Sequence, residues 1–457
     1  MIENDKKIMR GEFRGDFTRD TFDPMKAFSR VLMQQGRVQL DADWNEQISI
    51  LLHYMRNMAC DIGGPHWGPL EGAGFEIQNV NAEGGDFNIC PGHYYVKGIL
   101  CELAEETSYK SQSNYPLPTK LSESSFDQDK TTYLVYLDVW ERHISYVEDD
   151  AIREVALGGP DTASRAQIIW QVKVIGNIKG LTKESNYSDF IEVLKCQQAI
   201  FPGTGRMRAK AMDKPKNDKD PCLIAPESRY RGAENQLYRV EIHNNSQKGA
   251  VPTFKWSREN GRIIFPILAS LKSKDSNSIT LVLEHLGRDG RCGLKENDWV
   301  EIVDDDYILQ NRAENLLQVM SVDHENRQVT LKWQAGPFNS TVDVSAANKS
   351  PYLRRWDQNT GNEKGIPISD SWIHLEAGIQ IQFPECNALF QTGDYWLIPA
   401  RTVTGNIEWP EDAGVPKAML PHGIIHHYAP LAMIDVDDCG VISKLMDLRR
   451  ILRKIWE

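Results

Sequence analysis

The runs YLVYLDV at 133–139 and IIWQVKVI at 168–175 decide the fold class. Both are dense in β-branched and aromatic side chains, and the second ends at Gly176-Asn177, which is the signature of strands. The same texture returns at 75–80, 87–89, 94–103, 237–243, 253–256, 278–284, 299–303, 329–333, 373–383 and 395–399. Many short strands, without the strand-helix alternation of a nucleotide-binding parallel sheet, predict a mainly β protein built of antiparallel sandwiches or barrels.

Two helices are expected to flank these strands. At 43–62, Trp44, Ile48, Leu51, Leu52, Met55, Ala59 and Ile62 fall three, four and seven apart and build one apolar stripe. Asp43 stands three residues before Glu46, a capping-box spacing, and Gly63-Gly64-Pro65 stops the helix. Just before it, Gln34-Gln35-Gly36 reads as a tight turn. At 441–457, VISKLMDLRRILRKIWE reads as a basic amphipathic C-terminal helix, packed in the fold or docked on a membrane or partner. The resulting division is an arm and helix at 1–70, a first β domain at 71–176, an exposed insertion at 177–221, a larger β region at 222–440, and the final helix.

The 457 residues carry 52 basic and 64 acidic side chains, a formal net charge of −12, which disfavours nucleic acid outside local basic patches. Twelve tryptophans are the compositional excess, suited to cores, interfaces or sugar platforms. Eight scattered cysteines, none in ligand spacing, read as reduced, small and buried. The first twenty residues lack the apolar stretch of a secretion signal, and no run is long enough to span a membrane. Synthesis in the bacterial cytoplasm is the expectation.

Short catalytic and nucleotide-binding signatures are absent from the sequence, so no enzyme and no cofactor is expected. His422 and His426, four apart, would hold zinc only on a helix, which the flanking Gly423, Ile424 and Ile425 disfavour. Asp304-Asp305-Asp306 lacks the alternating spacing of a calcium loop and reads as a polar turn. Glu408 and Asp412 around Trp409 leave a carbohydrate-binding or carbohydrate-active reading open. The basic stretch 206–220 is a solvated loop or a docking loop for an acidic partner.

The N-terminal segment interleaves polar and apolar residues too tightly for a flexible tail. It either packs on its own domain or forms an assembly surface. In the second case the partner-binding residues are Asp16, Phe17, Phe22, Asp23, Pro24, Gln35, Arg37, Asp43, Trp44 and Asn45, joined by Arg449, Arg450 and Trp456 at the other end. Phe28 would add a further aromatic anchor.

The blocks GDFTRDTFDP, RVLMQQGRVQLDADWNEQ, LGGPDTASRAQIIWQVKV, YRGAENQLYRVEIH, FKWSRENG, YLRRWDQ, GDYWLIPARTVTG with EWP, and HHYAPLAMI run from Gly15 to Ile434. Together they resemble an uncharacterised domain family of bacterial phage-tail-like loci, some of whose members carry the domain ahead of a tail-fibre-like β-helix. That resemblance implies a non-enzymatic structural subunit of a contractile injection system, near the baseplate, its periphery or an extension. Implied partners are other baseplate, spike, sheath or fibre subunits, with copies in multiples of three or six and contact with a membrane or cell wall compatible. No catalytic or ligand residue is carried over.

Overall fold

A computed structural model of the chain describes residues 11–82, 85–121, 130–178, 180–197, 199–200, 203–212, 229–245, 251–271, 277–333, 342–437 and 441–452. It is mainly β, as the strand texture predicts.

The run at 133–139 lies in the strand Lys130–Ile144, at the centre of a four-stranded antiparallel sheet with Arg165–Ile175 on one side, and His427–Asp437 then Ile442–Asp447 on the other. Successive side chains on a strand point to opposite faces. Val135, Leu137 and Val139 therefore join Phe75, Tyr94 and Val172 in one core, while Leu134 and Tyr136 face a second cluster with Phe190 and Leu194. Burial on both faces is why this strand reads as a nearly unbroken apolar run. Two three-stranded sheets, His66–Trp67 with Gly92–Val96 and Ile99–Leu103, and Ile77–Ala82 with Asp86–Ile89 and Thr107–Ser108, complete the first core.

The segment between these strands builds two further bodies of sheet. Six strands, Ile264–Leu271, Ser278–Leu283, Gln328–Lys332, Leu317–Asp323, Trp299–Val303 and Tyr352–Trp356, close into an antiparallel barrel filled by Phe265, Leu281, Val319, Leu331 and Leu353. A five-stranded sheet (Ile366–Pro367, Thr253–Ser257, Gln236–Asn244, Tyr395–Arg401, Asn406–Ile407) shares a core with a three-stranded one (Ile373–His374, Ile379–Gln382, Arg208–Ala211). Trp256 and Trp396 are fully buried in that core and Trp409 nearly so.

Helix α1 spans Asp41–Gly63 and helix α2 spans Tyr187–Cys196. The start of α1 differs from the expected capping box. Extended Leu40 is the N-cap, without a side-chain hydrogen bond, and Asp43 lies inside the first turn. The acids at this end serve the arm instead: Asp41 accepts from the backbone N–H and hydroxyl of Thr18, at 2.9 and 2.7 Å, and Glu46 accepts from the Thr21 hydroxyl at 2.6 Å. Gly64, in the left-handed region at φ 85°, ends the helix by donating to the carbonyl of Cys60. The predicted turn at 34–36 is present, with Gly36 at φ 69°.

Three expectations are corrected. First, the segment expected as a C-terminal helix contains the edge strand Ile442–Asp447, antiparallel to His427–Asp437, with Ile442 buried. An exposed sheet edge offers a row of unpaired N–H and C=O groups, and pairing with it overrides a helical spacing of apolar residues. Residues 453–457, including Trp456, lie outside the described residues. Second, the expected insertion at 177–221 contains α2, with its Asn186 capping box, and the paired strand Arg208–Ala211. Of the basic stretch within it, 213–220 lie outside the described residues. Third, the cysteines are not uniformly buried: Cys101 is, whereas Cys196 is exposed. Cys222 and Cys439 lie outside the described residues.

Candidate assembly surface and the ionic centre that anchors it

Helix α1 meets its own chain through small side chains. Ala42, Ser49 and Gly63 recur on one face, with Ile50 and Arg56 beside them; Ala42, Ser49 and Ile50 are buried. Arg56 forms a two-point ion pair with Glu141, at 2.9 and 3.2 Å. Gly98, at φ 76°, sits so close under Arg56 that a Cβ there would lie 2.4 Å from the Arg56 carbonyl oxygen. Trp67 donates to the carbonyl of Ala59 at 3.1 Å.

The apolar stripe points the other way. Trp44 is 61% exposed, Met55 61%, Ile62 60% and Met58 59%, with Ile48, Leu51 and Tyr54 between 41% and 52%. Single exposed apolar residues are ordinary, but a contiguous stripe of seven on one helix marks an interaction surface. The arm adds Met25, Phe28, Leu32, Met33, Val38 and Leu40, all exposed. It is tied along α1 by the Thr18 and Thr21 bonds and by the Val31 N–H on Gln47 at 2.9 Å.

The sequence-predicted partner residues divide accordingly. Trp44 is on the outward stripe, flanked by half-buried Asp43 and Asn45. Gln35 and Arg37 are exposed on the turn. Phe22 is buried against His53, with ring centroids 5.7 Å apart, so it anchors the arm to its own helix. Phe17 is half-buried; Asp16 faces Arg262 at 3.5 Å. Asp23 caps the turn that begins at Pro24 by accepting from the Met25 N–H. Arg449 is spent internally, on Asp447 at 2.9 Å and on the carbonyls of Ala73 and Gly74. Arg450 is exposed next to Gly64, at the end of α1.

The root of the arm enters a buried ionic centre. Arg14 pairs with Glu12 and, at 2.8 Å, with Glu241. Arg239 lies 2.7 Å from Glu241, and Lys255 links Glu241 at 3.5 Å to Glu301 at 2.6 Å. Tyr307 and Trp356 both donate to Glu301. The rings complete the cage: the Arg239 guanidinium lies 3.6 Å from the Tyr395 centroid, and the Lys255 ammonium 4.5 Å from that of Trp356. Arg239 and Asn260 also bind the arm's backbone, donating to the carbonyls of Phe13 and Gly15. Burial by itself would push the Glu301 carboxyl up, but Lys255, His243 and Arg354 reverse this and hold it at about 2. Glu241 is likewise held well below the usual carboxylate range, against its burial, by Arg14, Arg239 and Lys255.

Sequence reasoning passed over this centre. Its signal was present as charges inside apolar strands, in YRVEI at 238–242, FKW at 254–256 and WVEIV at 299–303. Charges in strands that lack a polar face must be paired internally. Beside the centre a cleft of about 1430 Å³ opens between the arm, residues 158–164 and the barrel loops. Its wall mixes Arg14, Arg262 and Arg354 with Glu12, Asp16 and Glu148, so net charge selects neither anions nor cations there.

The other sequence candidates have structural roles. The His422 ring accepts from the Leu397 N–H, while His426 faces Asp138 at 2.8 Å. Among the described residues, no group of three or more His, Cys, Asp or Glu is placed to hold a metal. Asp304 caps helix α3, Asp305–Leu309, and Asp305 and Asp306 pair with Arg142 and Lys349. Glu408 bonds Arg401 at 2.8 Å, and buried Trp409 donates to the Lys417 carbonyl, so this tryptophan offers no open ring face. No described helix is long and apolar enough to cross a membrane.

The profile of a family of unknown function (DUF6519) matches residues 13–195 and 193–446. No curated protein and no solved structure matches the chain.

Proposed function

The chain belongs to the family of unknown function DUF6519, and from that premise we propose that it is a non-enzymatic structural subunit of a phage-tail-like contractile injection system, at the baseplate periphery or a baseplate extension. The observation that carries the structural part of this reading is the outward apolar stripe of α1, continued by the exposed apolar residues of the arm. A surface of this kind is stable in water when a partner covers it. The ionic centre supports the same reading, because it fixes the root of the arm to the rigid sheets and so presents the stripe in one orientation. The sequence blocks quoted above supply the injection-system context and the expected neighbours: baseplate, spike, sheath or fibre subunits.

Affinity purification of a tagged chain from a bacterium that carries such a locus is expected to recover sheath, tube and spike proteins in one large particle. Recovery of the chain alone, with intact particles in the same lysate lacking it, would refute the proposal.

A further inference from the structure

We infer that the outward face of α1 is a self-pairing seam, covered by the α1 of a second copy running antiparallel about a two-fold axis. This rests on the same face as the structural-subunit reading and names its occupant.

The spacing is the first argument. Trp44, Ile48, Leu51, Met55, Met58 and Ile62 are separated by four, three, four, three and four residues, which is the a/d alternation of a helix-on-helix seam. Read backwards, the order of steps is the same. An antiparallel copy therefore sets Trp44 against Ile62, Ile48 against Met58 and Leu51 against Met55, with the axis beside His53. Each pairing joins an a position to a d position, as an antiparallel seam requires, and a two-fold interface uses the same patch on both copies.

Charge is the second. The positions that flank the stripe are Asn45, Gln47, Leu52, Tyr54, Ala59 and Asp61, so only one is charged and the margins of two copies do not repel. The ends are complementary. The first turn carries Asp41 and Asp43, followed by Glu46, while exposed Arg450 stands beside Gly64 at the other end. Antiparallel pairing brings the acidic start of one helix to the Arg450 end of the other and opposes their dipoles. Parallel pairing would stack the acidic ends.

Area is the third. Seven side chains that are 41–61% exposed, at roughly 100 Å² apiece on average, present about 700 Å² per copy, close to the share each partner gives a standard interface.

The test uses the full chain. Light scattering behind a sizing column at about 20 µM is expected to give at least twice the monomer mass of 52.0 kDa. The L51E/M55E/M58E variant is expected to fall to the monomer while keeping the wild-type far-UV circular dichroism spectrum, because these side chains are exposed on the single chain. Cysteine exchange reads the direction. Under mild oxidation, I48C mixed with M58C should cross-link above the wild-type background, and either alone should not. A monomeric wild type, an oligomeric triple variant, or cross-linking of I48C to itself would each overturn the seam. The outcomes also separate the two proposals. A chain that pairs but is absent from particles refutes the function and keeps the seam; a particle-borne chain that is monomeric when isolated does the reverse.

Discussion

Replacing Lys255 with methionine tests whether the ionic centre holds the arm and the two larger sheet bodies together. Lys255 and Glu301 are 3% and 1% exposed, and the ammonium lies 2.6 Å from Glu301 and 3.5 Å from Glu241. Without Lys255, Glu241 keeps Arg14 and Arg239, whereas Glu301 loses its ion-pair partner and keeps the neutral donors Tyr307 and Trp356, with the Arg354 charge on the neighbouring strand. Removing one partner of a buried ion pair costs about 3–5 kcal/mol. With an unfolding entropy of roughly 2.1 cal/mol/K per residue, a 457-residue chain loses about 1 °C for each kcal/mol, so the expected fall in Tm is about 3–5 °C. The double variant K255M/E301Q removes both charges and should recover at least about 2 kcal/mol relative to the sum of the single costs. Calorimetry of the four proteins gives the cycle. A K255M cost below about 1 kcal/mol, with additive single variants, would refute the assignment of the centre as a coupled unit.

Three further outcomes follow from particular contacts. G98A puts a Cβ 2.4 Å from the Arg56 carbonyl at a left-handed backbone position, so it should lift α1 from the sheet and cost about 1–3 kcal/mol; limited proteolysis within 17–63 should accelerate relative to wild type. His66, His143 and His243 are held at about 4 and His427 at about 3, each chiefly by burial, so they stay neutral in the fold while the unfolded chain binds protons near pH 6.5. Their contribution is complete above pH 6.5 and is lost as pH falls toward 4, by about 1.4 kcal/mol per pH unit for each, and a pH series of melting temperatures should decline through that window. W396A empties a fully buried site and should cost about 3–5 kcal/mol in denaturant titration, while glycan binding, if any is measured in the wild type, should not depend on an exposed ring at this position.

Much of the fold was legible because strands and α1 are local patterns. The β-branched and aromatic density along 133–139 and the three-and-four spacing along α1 are written in residue order, and the structure has a strand and a helix there. The C-terminal segment shows the limit. Ile442, Leu445 and Met446 fit a helical face as well as they fit a strand, and pairing with His427–Asp437 decided between them. The candidate surface was legible in part: Trp44 stood out by composition, but Phe22 and Arg449, which look alike as docking residues, are used inside the chain.

The sequence alone determined that the chain is built of many antiparallel strands and that α1 carries an apolar stripe, because both depend on spacing between near neighbours. Only the tertiary structure decided which way the stripe faces. Ala42, Ser49 and Gly63 are small enough to let the opposite face approach the sheets, Arg56 finds Glu141, and the larger apolar side chains are left outside. It also decided that Glu12, Arg14, Arg239, Glu241, Lys255 and Glu301 form one buried centre, since charges distant in sequence neutralise one another only where the chain brings them together.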